Sequence, residues 1–175
     1  EQLLRINDAV TGHRLLRGAI HPGGVRLRAL PDPRELEAIG ADLADVAALT
    51  LANAGVYDRF AGTAILTAEQ AGELGCLGFV ARASGVAVDA RLDHPTIALP
   101  VTPASATDGD VLARYTVRRD EFAASVALAG HLIDSAEARL DYIAAPPPPP
   151  GTVRSGVGIV EGWRGTIVHR VELDA

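Results

Sequence analysis

Apolar positions recur at three- and four-residue spacing in three stretches of the chain, and each predicts an amphipathic helix. Leu3, Ile6 and Val10 share one face of a helix over 3–16, which Gly12 is placed to end early. Over 32–60 the stripe is Leu36, Ile39, Leu43, Val46, Leu49 and Val56. Asp32 stands before Pro33 as an N-cap, and Glu35 falls in the first turn. Gly40 and Gly55 are the expected interruptions. The longest pattern, over 117–143, repeats Phe122, Val126, Ala129, Ile133, Ala136 and Leu140. Small residues in that stripe, with Gly130 beside them, would let a neighbouring helix approach. Asp120 and Glu121 then lie near its start and suit the helix dipole.

The segments between these helices read differently. Pro22-Gly23-Gly24 breaks the first pattern. Residues 63–66 are short and apolar and suggest a strand. Thr67 and Gln70 form a capping-box pattern that opens a short helix, and Gly75 closes it. Residues 79–103, rich in Gly, Ala, Asp and Pro, read as irregular. Pro146 to Pro150 form a stiff polyproline spacer. After it, 157–160 and 166–173 alternate as two strands joined by a four-residue loop, Gly162-Trp163-Arg164-Gly165. The fold class expected is α+β, mainly helical: a long helix bundle with a short antiparallel β hairpin near the C-terminus. The divisions are a helical part over 1–145 with an irregular loop at 79–116, the spacer at 146–150, and the hairpin at 151–175.

Composition narrows the function classes. Of 175 residues 48% are hydrophobic but only 4% aromatic, so aliphatic side chains must fill the core. A formal charge of −6 argues against a nucleic-acid surface, which needs clustered cations. No apolar run reaches the roughly 18 residues that span a bilayer, and no signal peptide opens the chain. A soluble, cytoplasm-facing protein is the expectation. The single cysteine, Cys76, excludes an intrachain disulfide or a Cys-pair metal site, and its apolar neighbours suggest a buried, inert thiol. The chain opens at Glu1, holds no methionine and stops in what reads as a strand. A piece cut from a longer polypeptide is expected; a processed whole protein is the competing reading.

Candidate chemistry is sparse. None of the five histidines has the spacing of a zinc pair. His21-Pro22-Gly23-Gly24 reads as a turn and lacks a phosphate-loop fingerprint. Ser84, Asp93 and His94 can be drawn as a triad, but no nucleophile elbow surrounds Ser84. Residues 82–85 and 89–94 are charge-rich: a solvated loop is one reading, ion pairs lining a cavity the other. Arg164, at a turn tip between glycines, suits anion binding or substrate polarisation; a plain hairpin turn is the alternative.

Four segments together resemble one family: TGHRLLRGAIHPGGV (11–25), GFVARASGVAVDARLDHP (78–95), GDVLARYTVRR (109–119) and GIVEGWRGTIVH (158–169). Their order and spacing are similar to the large subunit of energy-converting nickel–iron hydrogenases, formate hydrogenlyase included. They are also similar to the quinone-site subunit of respiratory NADH–quinone oxidoreductase. The resemblance implies a mainly helical subunit, peripheral on the cytoplasmic side of a membrane complex. It implies packing against an iron–sulfur small subunit and membrane subunits, with quinone as a substrate in one branch. In the hydrogenase branch, nickel and iron are held by two Cys-x-x-Cys pairs. Neither pair is here, so the resemblance implies no cofactor in this piece and leaves a nickel–iron centre to the parent. Arg164 matches the arginine of a Pro-Arg-Gly motif that assists catalysis, with Trp163 in place of the proline. Arg82, Asp89, Arg91 and Asp93 match loop positions near the core, with a structural or proton-relay role. His169 matches a family histidine in the strand after the turn. The function expected is a fragment of a redox-complex large subunit, of hydrogenase or NADH:quinone oxidoreductase type, inactive when isolated. Exposed apolar surface is expected where the rest of the complex would pack. The alternative is a non-catalytic assembly or scaffold homologue; a third reading, a small-molecule binding module, rests on the glycine-rich turns.

Overall fold

A computed structural model describes residues 1–21, 24–136, 141–143 and 154–173. Helix α1 runs Gln2–Thr11 and ends, as its pattern predicts, at Gly12 in the left-handed region. Strands β1 (Ile20–His21) and β2 (Gly24–Arg26) follow, a small hairpin that the periodicity did not signal. Helix α2 (Pro33–Ala52) starts where expected, with the Asp32 carboxylate accepting the Arg34 N–H. The helical stretch does break, but not at Gly40 or Gly55. It breaks at Asn53, whose side chain caps helix α3 (Ala54–Phe60), and the two axes turn by 88°. A capping side chain offers the backbone an alternative partner, which outweighs the mild cost of a helical glycine.

Residues 63–66 are not a strand. Ala64 takes a positive φ of 51°, and backbone bonds from Val111 N–H to Thr63 O and from Leu66 N–H to Gly109 O tie the segment to the start of a later helix. Helix α4 (Ala68–Glu73) carries both halves of the predicted capping box, and Gly75 follows it at φ 63°. The irregular loop expected at 79–116 is irregular over 84–89 and 94–110 but helical in between and at its ends. It contains α5 (Gly78–Ala83), α6 (Ala90–Asp93) and the first turns of α7 (Val111–Ser135). Both short helices are fixed by tertiary partners, which a composition rich in Gly, Asp and Pro cannot reveal.

Helix α7 begins before the predicted 117 because Asp110 caps it, accepting the N–H of Ala113 at 2.7 Å and of Gly62 at 2.7 Å. Glu121 therefore lies mid-helix, not at a helix start. The helix also stops short of 143: residues Asp141–Ile143 form strand β3, paired antiparallel to β2. Strands β4 (Arg154–Gly162) and β5 (Gly165–Leu173) form the expected C-terminal hairpin, in register from Arg154 opposite Leu173 to Gly162 opposite Gly165. Its loop is two residues, Trp163 and Arg164, not four. The polyproline spacer lies outside the described residues.

The architecture is α+β and mainly helical. Helix α2 lies along α7, with Gly40 facing Val126 and the Tyr115 hydroxyl reaching the Ala47 carbonyl. The core cluster is small: Ala83, Ala113 and Val117, with Phe79, Ala104 and Ala106 against it. Much of the predicted α2 stripe is not in it. Leu43, Val46 and Leu49 are exposed, as are Ile20, Leu74 and the hairpin residues Val157, Val168 and Val171. Among the described residues, no single helix is long and apolar enough to cross a membrane.

Candidate functional site

The most ordered chemistry sits where α5, α6, α7 and the β4–β5 hairpin meet. Arg82, from α5, is 3% exposed. Its Nη1 donates to a Glu161 carboxylate oxygen at 3.1 Å and to the Val88 carbonyl at 3.2 Å, and lies 3.4 Å from Asp89. Its Nε is 3.3 Å from Glu121. Arg91, on α6, forks onto Asp89 at 2.9 and 2.6 Å and reaches Glu121 at 3.2 Å. Backbone groups complete the shell: Ala90 N–H donates to Glu161 and Ala104 N–H to Glu121, at 3.1 and 3.0 Å. The Thr166 hydroxyl donates to Glu161.

Two guanidinium groups thus share three carboxylates in a setting largely shielded from solvent. An isolated charge would cost several kcal/mol here, and multiple pairing offsets that cost. Burial pushes the Asp89 carboxyl up, but hydrogen bonds from the Arg91 side chain and backbone outweigh it and hold the group below the usual carboxylate range. The Asp89 hydrogen bond in turn raises the Arg91 pKa, keeping that guanidinium charged.

The hairpin is docked a second way. A Cβ on Gly78 would fall 2.4 Å from the Arg164 carbonyl carbon and 2.5 Å from the Gly165 nitrogen. A Cβ on Gly165 would fall 2.4 Å from the Leu77 Cβ. Both glycines hold positive φ, 62° and 128°, so their type serves conformation and contact together. The contact lays Trp163 on Phe79, rings 6° from parallel and 5.5 Å apart. Beside this pair opens a cavity of about 340 Å³, walled by Phe79, Phe122 and Trp163, with Arg118 at its side and the Arg82–Glu161 pair in its lining.

Of the predicted site residues, the fold brings Arg82, Asp89 and Arg91 together, and their charge-rich segment forms ion pairs lining a cavity, not a solvated loop. Asp93 serves them locally, accepting the Asp89 N–H at 3.0 Å. Arg164 stands exposed on the hairpin turn, its guanidinium 4.7 Å from the Trp163 ring centre. His169 takes no part in the network: strand alternation puts it on the face opposite Thr166. Glu121 and Glu161 complete the junction, and sequence reasoning missed both as site residues. A signal existed: Arg82 stands in a run of small and apolar residues, and Glu161 shares a strand face with Val157 and Ile159. Lone charges in such settings require buried partners. Cys76 is half-buried, and no second thiol accompanies it, so the residues present do not fit a nickel–iron centre.

Similarity to known proteins points one way. The family described as "Respiratory-chain NADH dehydrogenase, 49 Kd subunit" matches residues 1–149. The D subunit of NADH-quinone oxidoreductase from Deinococcus radiodurans is 34% identical over 128 residues, 68% of this chain and 32% of the relative. The fused C/D subunit from Phocaeicola vulgatus is 32% identical over 77% of this chain and 28% of its own length. The D subunit of F(420)H(2) dehydrogenase from Methanosarcina mazei is 29% identical over 77% of this chain and 38% of its own. A chain of the membrane-bound sulfane sulfur reductase, an archaeal respiratory membrane complex, superposes with a TM-score of 0.78 at 25% identity, covering 98% of this chain and 50% of that one. The chain therefore spans about a third of the curated relatives it matches. With the match running through the segments that build the junction on α5, α6 and α7, the chain belongs to the family of the respiratory-chain NADH dehydrogenase 49 Kd subunit.

Proposed function

We propose that this chain is a segment of the large subunit of a membrane-bound oxidoreductase of the quinone-reducing type, and that it carries out no redox chemistry alone. The observation behind this reading is the family match over 1–149, with relatives that are D subunits of NADH-quinone oxidoreductase. The uncovered apolar faces support it, since a monomer seldom leaves so many large apolar side chains in water. In the parent these faces pack against the remainder of the subunit, an iron–sulfur small subunit and membrane subunits, peripheral on the cytoplasmic side. The hydrogenase branch needs four thiolates supplied from outside this chain, and the relatives named above act on NADH, F(420)H(2) or sulfane sulfur by their names.

In this reading the Arg82–Asp89–Arg91 network is the frame, and Arg164 is the working group. A guanidinium stays charged and presents fixed donors to a polarised oxygen of a substrate such as a quinone carbonyl. The Trp163 ring and the Gly78–Gly165 contact hold its turn in place. Asp93 and His169 have no direct role in it.

The test is complementation. The parent subunit is expressed in a host lacking its own, and quinone reduction by NADH is measured in membranes. We expect Arg164→Ala to lower the rate at least tenfold with the complex still assembled, and Arg164→Lys to restore part of it. An assembled Arg164→Ala complex at the wild-type rate would remove Arg164 from catalysis. A parent that is needed for assembly, yet sits in a complex transferring no electrons, would leave the scaffold reading. The purified chain should neither retain nickel nor oxidise NADH with quinone present; either activity would overturn its inactivity in isolation.

A further inference from the structure

The cavity beside Trp163 is not explained by a redox role. It opens between Phe79, Phe122 and Trp163, and its volume of about 340 Å³ is within the range of small-ligand sites. Three arginines line it, but they are not equivalent. Arg82 and Arg91 are spent: each is paired with carboxylates of the junction. Arg118 has no carboxylate partner among the described residues. Its guanidinium carbon lies 5.3 Å from the Phe79 ring centre and 4.9 Å from that of Trp163. Arg118 is exposed to solvent, and the two rings stand within cation–π reach of it in the cavity lining.

The sequence accounts for the geometry. Arg118, Phe122 and Ser125 follow at helical spacing on α7, so one helix face supplies the cation, an apolar wall and a hydroxyl. Phe79 enters from α5 and Trp163 from the hairpin turn, and the Gly78–Gly165 contact fixes the distance between them. The carboxylates of Glu121 and Glu161 also line the cavity. They are paired with Arg82 and Arg91, which leaves Arg118 as the lining cation open to an anion. The rest of the ligand must be apolar and flat to lie against the rings.

We propose that this cavity binds a small monoanionic carboxylate with a flat, apolar body, the carboxylate paired with Arg118 and the body seated among Phe79, Phe122 and Trp163. The Arg118 fork suits two carboxylate oxygens, and the Ser125 hydroxyl offers a further donor. A cationic ligand is disfavoured by Arg118. A dianion is disfavoured because Arg118 is the one lining cation without a carboxylate partner among the described residues.

Trp163 is the chain's one tryptophan, so its indole N–H gives a single NMR signal that reports on this cavity. The probes are benzoate and its neutral counterpart, benzyl alcohol, titrated into the full chain. We expect a saturable shift with benzoate, at least tenfold weaker binding of benzyl alcohol, and weakening of benzoate binding alone as salt is added. Arg118→Met should weaken benzoate binding at least tenfold while the backbone spectrum stays folded; Arg118→Lys, which keeps the charge but loses the fork, should fall between. Arg164→Met, which removes the other cation at Trp163 but one outside the cavity lining, should change the affinity by less than twofold. Equal binding of benzoate and benzyl alcohol would overturn the proposal in favour of a simple apolar cleft. Equal losses in Arg118→Met and Arg164→Met would overturn it in favour of diffuse surface attraction. The absence of any saturable shift would overturn it outright. The salt comparison needs no variant, so a misfolded Arg118→Met protein would leave the test decisive.

Discussion

The junction around Arg82 and the outer face of α2 are built by opposite rules. At the junction, charged side chains are buried and every one has partners within the chain: Arg82, Asp89 and Glu161 are 3%, 3% and 5% exposed by side chain. On α2, apolar side chains face outward, with Val46 60% and Leu49 73% exposed. The charges of the junction are paired internally, although the buried Arg82 Nε makes no hydrogen bond; the apolar groups of α2 are left uncovered. The difference follows from reach and direction. Ion pairs and hydrogen bonds are short and specific, so their partners must be close in the fold, and here all are within this chain. Apolar burial is non-directional and proportional to area, so any large neighbour can supply it. The family's longer members have ample chain to do so.

Four measurements would break or sharpen that contrast. The largest effect should come from Arg82→Met, which keeps much of the volume but leaves Asp89 and Glu161 without their shared cation. Breaking a buried pair in this way costs about 3–5 kcal/mol, read as a lower urea midpoint. A loss below about 1 kcal/mol, the surface-pair level, would mean that water reaches the junction. Next is Gly78→Ala. Its methyl would strike the Arg164–Gly165 backbone, and overpacking of this kind costs about 1–3 kcal/mol. The hairpin should swing away, and Trp163 emission should shift to the red. An unshifted spectrum would show that the Arg82–Glu161 pair alone holds the hairpin.

Acid acts on the junction through Asp89 and on the start of α7 through Asp110. The folded pKa values of Asp89 and Asp110 lie below their unfolded values, burial being outweighed by hydrogen bonds in both. Their contribution is complete above an unfolded carboxylate's pKa near 4 and is lost as pH falls through the lower folded values. Denaturation at graded pH should show level stability from about pH 7 to 5 and a decline below about 4. A loss beginning near pH 6 would assign the sensitivity to a histidine instead. The smallest effect should come from α2. Val46→Ser with Leu49→Ser should change stability by no more than about 0.5 kcal/mol each, yet reduce binding of a hydrophobic dye. If the pair of substitutions cost as much as Arg82→Met, the α2 face would be core, and the contrast would fail.

Local chemistry was legible in the sequence wherever a few adjacent residues decide the outcome. The Asp32–Pro33 start of α2, the Thr67–Gln70 capping box and the Gly12 stop formed as the sequence predicts, and the C-terminal hairpin formed with a loop of two residues in place of four. The site was half legible. Arg82, Asp89 and Arg91 stood out as a charge-rich segment, but Glu121 and Glu161 lie 30 or more positions from the arginines they pair with; Glu161 was marked as a lone charge among apolar neighbours, whereas Glu121 follows Arg118, Arg119 and Asp120 and carried no such mark. The end of α7 was misread for a related reason: Ala136 and Leu140 extend the helical period, while β3 exists through pairing with β2.

What the sequence determined by itself was the set of short-range structures: caps, stripes, turns and the alternation of the hairpin. Each depends on groups within one or two helical turns, where spacing fixes geometry. Only the tertiary structure decided which charges meet, where the cavity opens, and that Trp163 lies on Phe79 beneath Arg118. Those contacts join α5, α7 and the hairpin across long stretches of chain, and their energy depends on burial that no local pattern reports.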